Sequence, residues 1–243
     1  MNKSIAKSKI PVMELFGPTI QGEGMVIGRK TMFLRTGGCD YSCAWCDSAF
    51  TWNGKEKATM LTAAQVFEKL VNIGGENFNH VTITGGNPAL IGKGMAELIE
   101  LLHQAKVKVG LETQGTKFQE WFYDIDDLII SPKPPSSQMN VDINRLDVII
   151  NKLTQAKTNF SLKVVVFDDN DFKFAKKMHQ RYCEIPFYLS VGNPDPYTEE
   201  EITPKLLERL ESLFNKVIQD PQMNEVRPLP QLHTLVWANK RKV

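Results

Sequence analysis

Cysteine is scarce in this chain, with four in 243 residues, and histidine is equally sparse. His80, His103, His179 and His233 are scattered, with none of the two- to five-residue pairings that mark a histidine-based zinc module. No apolar run approaches the roughly 18 residues that a spanning helix needs, so no membrane partner is expected. Neither charge dominates: 29 basic residues face 28 acidic ones, a net charge of +1, which excludes a nucleic-acid surface built on bulk charge. The opening MNKSIAKSKIPV has no apolar core or small-residue cleavage site of a secretion signal, so a cytoplasmic location is expected. Low-complexity tracts and repeats are also missing, and SPKPPSS, from Ser131 to Ser137, is too short to divide domains. With 42% hydrophobic and 23% charged residues, the chain has the composition of an enzyme-sized globular protein, expected to be a single domain over 1–243.

Three of the cysteines lie together. Cys39, Cys43 and Cys46 sit in GGCDYSCAWCDSAF with spacing C-x3-C-x2-C. Three thiolates from one loop can hold an iron-sulfur cluster and leave one iron open to another ligand. A zinc site is the rival, but its fourth ligand would have to come from far along the chain. A disulfide is a second rival, and it needs an oxidising compartment. The fourth cysteine, Cys183, is read as a buried thiol.

Short β-branched runs alternate with segments of helical period. The runs at 31 to 36, 80 to 84, 107 to 112, 127 to 131, 160 to 167 and 186 to 191 predict six parallel strands, with PVMELF at 11 to 16 as an extra strand near the first. Thr62, with Gln65 three residues on, predicts a capping box opening a helix that carries Val66, Phe67, Leu70 and Val71 and stops at Gly74 and Gly75. Met95, Leu98, Ile99, Leu102 and Ala105 form a second apolar stripe. Further helices are predicted near 142 to 156, 170 to 181 and 204 to 217, the last with Thr203 as N-cap and Pro204 at its first position. Repeated βα units predict a parallel sheet with helices outside, an α/β fold in which ligands gather at the carboxyl ends of the strands. The cysteine loop, GGNP (85 to 88), TQG (113 to 115), PKPP (132 to 135) and GNPD (192 to 195) all emerge there.

The cysteine spacing, with aromatic Trp45 just before the last cysteine, resembles the radical S-adenosylmethionine (SAM) superfamily. Over nearly the whole chain, FGPTIQGEGMVIG (16 to 28), CDS (46 to 48), TGGNP, LETQGT, SPKPP and QLH resemble the 7-carboxy-7-deazaguanine synthase family of queuosine biosynthesis, in its Bacillus-type form. The resemblance implies an incomplete (β/α)6 barrel whose C-terminal segment closes the mouth. It implies a lyase that contracts the ring of 6-carboxy-5,6,7,8-tetrahydropterin to 7-carboxy-7-deazaguanine with loss of ammonia. It also implies a homodimer served by an electron donor such as a flavodoxin.

The same resemblance implies roles for residues. Cys39, Cys43 and Cys46 would hold a [4Fe-4S] cluster that cleaves SAM to a 5′-deoxyadenosyl radical. Trp45, Asp47, Gly86, Thr113, Ser131, Pro132 and Lys133 would bind SAM. Asn87 stands where the superfamily has an acid. Ile20, Gln21, Gly22, Glu23, Thr84 and His233 would face the pterin, and Arg35 would pair its carboxylate through a planar guanidinium fork. Ser48 would ligate Mg2+, which takes few protein oxygens because it keeps several waters. The extra KRKV, 240 to 243, is read as a surface segment.

Two other functions share part of the pattern. An activating enzyme for glycyl-radical proteins would use the same cysteine spacing but lack TIQGEG and Arg35. An iron-sulfur electron carrier or zinc module would bind metal without cleaving SAM.

Overall fold

Strands buried on both faces make up the middle of a nine-stranded sheet in the computed structural model, which describes residues 8–198 and 200–243. Met1 to Lys7, read above for a secretion signal, lie outside the described residues. The strands are β1 (Lys9–Ile20), β2 (Lys30–Thr36), β3 (Thr59–Thr62), β4 (His80–Gly85), β5 (Lys108–Thr113), β6 (Asp127–Ile130), β7 (Phe160–Val166), β8 (Phe187–Val191) and β9 (Val226–Leu229). Their spatial order is β3-β1-β2-β4-β5-β6-β7-β8-β9. From β2 to β9 every neighbouring pair is parallel, whereas β1 runs antiparallel to both β2 and β3. Every residue of β7 and of β8 is buried, as expected for parallel strands covered on both sides.

All six predicted parallel strands are present, and β9 adds a seventh. The helices are α1 (Ala63–Gly74), α2 (Lys93–Gln104), α3 (Ile143–Gln155), α4 (Asp169–Arg181), α5 (Thr203–Gln219) and α6 (Leu232–Trp237). The barrel is incomplete in two ways. Its sheet stays open between β3 and β9, and the β5–β6 connection carries only a 3-10 turn, Glu120–Asp124, in place of a helix. Trp121 and Phe122 of that turn are buried in the core, where the turn packs against α2.

Helix α1 begins as the sequence implies: the Thr62 hydroxyl accepts from Gln65 N, and Gln65 Oε1 accepts from Thr62 N. Val66 and Leu70 are buried, but Val71 is 40% exposed, since the apolar stripe is narrower than its four residues imply. In α2, Met95, Leu98, Ile99 and Leu102 are buried, and Ala105 lies exposed past the helix end. Thr203 is inside α5 and Ile202 takes the cap position with no side-chain cap. Buried Ile202 seats that end of the helix by apolar packing. Cys183 is exposed, not buried, because α4 ends at Arg181 and the following turn points its thiol outward toward Glu184.

Candidate active site

The cysteine loop leaves the carboxyl end of β2 and is fixed by its neighbours rather than by regular structure. Gly86 N donates to Thr36 O (2.9 Å), Asn87 N to Gly38 O (2.7 Å) and Ala44 N to Ser137 O (3.0 Å). Gly86 must be glycine: a Cβ there would stand 2.0 Å from Gly38 O. Asn87, fully buried, donates to Asp40 Oδ1 (2.8 Å) and Thr116 Oγ1 (3.0 Å) and accepts from Thr113 Oγ1 (2.8 Å). An amide supplies both donors and acceptors here, which a carboxylate cannot do. Trp45 is anchored by its indole N–H on Ser136 Oγ (2.9 Å) and by Phe167, with ring centroids 4.9 Å apart.

Cys39, Cys43 and Cys46 open on one cavity. Two of the thiols sit where ionising is disfavoured: burial pushes Cys43 up to about 11, against the pull of nearby Lys133, and burial also raises Cys46. The charge of a metal centre would favour the thiolates of Cys43 and Cys46 here. N–H groups are already aimed at the sulfurs, Tyr41 N at 3.4 Å and Gln114 Nε2 at 3.5 Å from Cys39 Sγ, and Trp52 Nε1 at 3.4 Å from Cys46 Sγ. Among the described residues no three His, Cys, Asp or Glu side chains are gathered to chelate a single ion. A cluster, which binds each cysteine through a different iron, fits this donor set better than zinc does.

The same cavity is lined by Asp47, Gly86, Thr113 and Lys133, and by Ile20, Gln21, Gly22, Glu23, Arg35, Ser48, Thr84 and His233. Ser131 and Pro132 are buried behind this wall and do not line it; Ser131 Oγ accepts from Lys133 Nζ at 3.2 Å. TIQGEG and QLH, at opposite ends of the chain, meet face to face. Leu232 N donates to Gly22 O (3.0 Å), Gln231 Nε2 donates to Glu23 Oε1 (2.7 Å), and a Cβ on Gly22 would lie 2.3 Å from His233 Nδ1.

Beneath Glu23 lies a charge cluster absent from the sequence reading. Lys163, in the middle of β7 and 1% exposed, makes short ion pairs with both Glu23 and Glu112. Burial pushes the Glu23 carboxyl up, but Lys163, His233 and the hydrogen bonds from Lys163 and Gln231 together outweigh it and hold it at about 2. Burial likewise opposes the charge on Lys163, and the two carboxylates overcome it and raise its pKa. Glu23 thus presents a fixed negative charge to the cavity.

Arg35 donates from Nη1 to Ser48 Oγ at 2.5 Å, and its Nε lies 3.3 Å from Glu14 Oε2. Ser48 is buried and its hydroxyl is engaged by a cation, so Mg2+ at that oxygen requires Arg35 to turn away. The tail read as a surface segment is half exposed, yet Lys240, Lys242 and Val243 line the cavity. Arg241 carries it there by pairing with the buried Glu14.

The model of the radical SAM superfamily matches residues 33–165. A 7-carboxy-7-deazaguanine synthase of Bacillus cereus is 56% identical over 240 residues, covering 97% of this chain and all of that one. The chain belongs to the 7-carboxy-7-deazaguanine synthase family, within the radical SAM superfamily. A second family member, from Bacillus subtilis, is also 56% identical and covers 96% of this chain and 98% of its own. The crystal structure of QueE from Escherichia coli shares the fold, with a TM-score of 0.62 at 20% identity over 93% of this chain and 95% of that one. Native anSMEcpe with bound AdoMet shares it too, with a TM-score of 0.55 at 21% identity over 79% of this chain and 61% of that one. Family membership implies a [4Fe-4S] cluster and SAM.

Proposed function

We infer that this protein is a 7-carboxy-7-deazaguanine synthase, which converts 6-carboxy-5,6,7,8-tetrahydropterin to 7-carboxy-7-deazaguanine with loss of ammonia. One observation carries the reading: TIQGEG and QLH are joined to each other in the wall of the cavity on which the three cysteines open, and Arg35 lines that cavity too. When bound, the cluster supplies the electron that cleaves SAM to a 5′-deoxyadenosyl radical. The chain's own residues then do the placing. Glu23, held ionised by Lys163, accepts from the donor edge of the aminopyrimidinone, and Gln21, Thr84 and His233 take the remaining polar positions. Arg35 pairs with the substrate carboxylate, and Ser48, released from Arg35, would hold Mg2+ through its hydroxyl. Asp47, Gly86, Thr113 and Lys133 receive SAM, with Ser131 and Pro132 supporting Lys133. Closure of the mouth by the C-terminal segment would exclude water and so limit side reactions of the radical.

The rest of the reading is of the same kind. The chain works as one domain. Among the described residues no helix is long and apolar enough to cross a membrane. We place the enzyme in the cytoplasm as a homodimer reduced by a donor such as a flavodoxin; light scattering on the purified protein checks the dimer. An activating role for glycyl-radical proteins is not favoured, since the family and TIQGEG both belong to the small-molecule enzyme. The test is anaerobic incubation of reconstituted protein with reductant, SAM and the carboxylated pterin. Mass-detected deazapurine acid, lost in Arg35→Ala, is expected; SAM cleavage with no deazapurine from the wild type overturns the reading.

A further inference from the structure

Glu14 is a charged residue on the buried side of a strand, 1% exposed at its side chain. Its position along β1 puts it directly opposite Arg35 of β2. One carboxylate oxygen, Oε2, lies 3.3 Å from Arg35 Nε, in an ion pair without hydrogen-bond alignment. The other, Oε1, accepts from Nη2 and Nε of Arg241 at 2.6 and 3.1 Å. Arg241 spends its remaining donors on Glu56, at 2.8 Å from Nη1, and lays its guanidinium 3.8 Å from the centroid of the Phe50 ring. Phe50 and Glu56 belong to the segment that follows the cysteines, so one guanidinium ties together β1, that segment and the C-terminal stretch. Held there, Lys240 and Lys242 line the cavity beside Arg35.

We propose that residues 240–242 form a cationic strap, latched through Arg241 on Glu14 and Glu56, which completes the site's wall toward a carboxylate-bearing ligand. Glu14 is a positioning residue: it orients Arg35 on one side and seats the strap on the other. The charge arithmetic favours an anion. Arg35, Arg241, Lys240 and Lys242 bring four positive charges to a corner where Glu14, Glu56 and Asp47 supply three negative ones. A fixed guanidinium bridging two carboxylates loses little entropy per bond, whereas the exposed arm on Glu56 is weakened by salt. The anion half of the inference rests on the pterin reading; the latch does not.

The latch is tested on ligand-free protein by limited trypsin digestion, with cleavage after Lys240, Arg241 and Lys242 followed by mass. Glu56→Gln keeps every cleavage site and changes an exposed residue, so it folds. It is expected to speed cleavage in this stretch several-fold, and raising salt is expected to do the same to the wild type. Cleavage at the wild-type rate in Glu56→Gln overturns the strap, whatever any pterin does. The anion half is tested by equilibrium binding of 6-carboxypterin and of pterin without the carboxylate. The wild type is expected to prefer 6-carboxypterin at least tenfold, and Arg241→Ala to lose most of that preference while its affinity for plain pterin stays within about twofold. An undiminished preference in Arg241→Ala overturns it. If the wild type binds neither compound, the pterin reading falls with the anion half, while trypsin still decides the latch.

Discussion

Replacing Lys163 with Met would leave Glu23 and Glu112 facing each other in the wall of the cavity with no cation between them. Breaking a buried ion pair by removing one partner costs about 3–5 kcal/mol. The chain has one escape, which sets a ceiling: a carboxylate can take a proton, and from an ordinary pKa that costs about 4 kcal/mol at pH 7 but only about 1 kcal/mol at pH 5. For a chain of this size each kcal/mol moves the melting temperature by about 2–4 °C, so the variant should melt about 6–16 °C lower at pH 7 and about 2–4 °C lower at pH 5. The sign follows from the direction of each shift. In the wild type Glu23 is held at about 2, so its stabilisation is present above the unfolded value of 4.5 and lost as pH falls toward 2. In the variant the remaining carboxylates have raised folded pKa values, and stability is lost as pH rises through them. Thermal melts of the metal-free protein at the two pH values, with Lys163→Met/Glu112→Gln as partner, measure this. The double variant should regain much of the loss at pH 7. A drop of equal size at both pH values, or none, refutes the idea that Lys163 is there to keep Glu23 charged.

Two further outcomes are expected. Gly86→Ala would force a methyl group into Gly38 O and displace the cysteine loop, so iron bound per chain after anaerobic reconstitution should fall by at least half; iron binding at the wild-type level would show that the two loops do not depend on each other. Ser48→Ala should weaken the dependence of turnover on Mg2+ while SAM cleavage continues, as read by a metal titration of both rates; unchanged dependence would sink the assignment of the Ser48 hydroxyl.

How much of this could be read from the sequence varies with the kind of signal. The strand runs and the Thr62–Gln65 box were legible because period and capping are local properties, and the structure repeats both. β9 was hidden because VRPL carries a proline that argues against a strand, yet it lies at the sheet edge where a missing N–H is tolerated. β3 was hidden because TMLT runs directly into the capping box. Lys163 stood in plain view in FSLKVVVF, but a lysine in a strand is ordinarily on the wet face; only the burial of the entire strand turns it inward. Glu14 had a better clue, since Val12, Glu14 and Phe16 alternate onto one buried face. A lone charge in that register indicates a paired network. Apart from Arg35 on the neighbouring strand, the partners of both charges lie far along the chain, beyond the reach of any local pattern.

The two joints that close the cavity, Gln231 on Glu23 and Arg241 on Glu14, span 208 and 227 residues of chain. Contacts of such separation form late, because the loop they close must be ordered first. During synthesis the cysteine loop and the GGNP loop bonded to it are on hand long before the C-terminal segment that completes the wall. Both joints wait on the last residues made, so a chain still being synthesised has the cysteine loop but lacks the wall those joints hold.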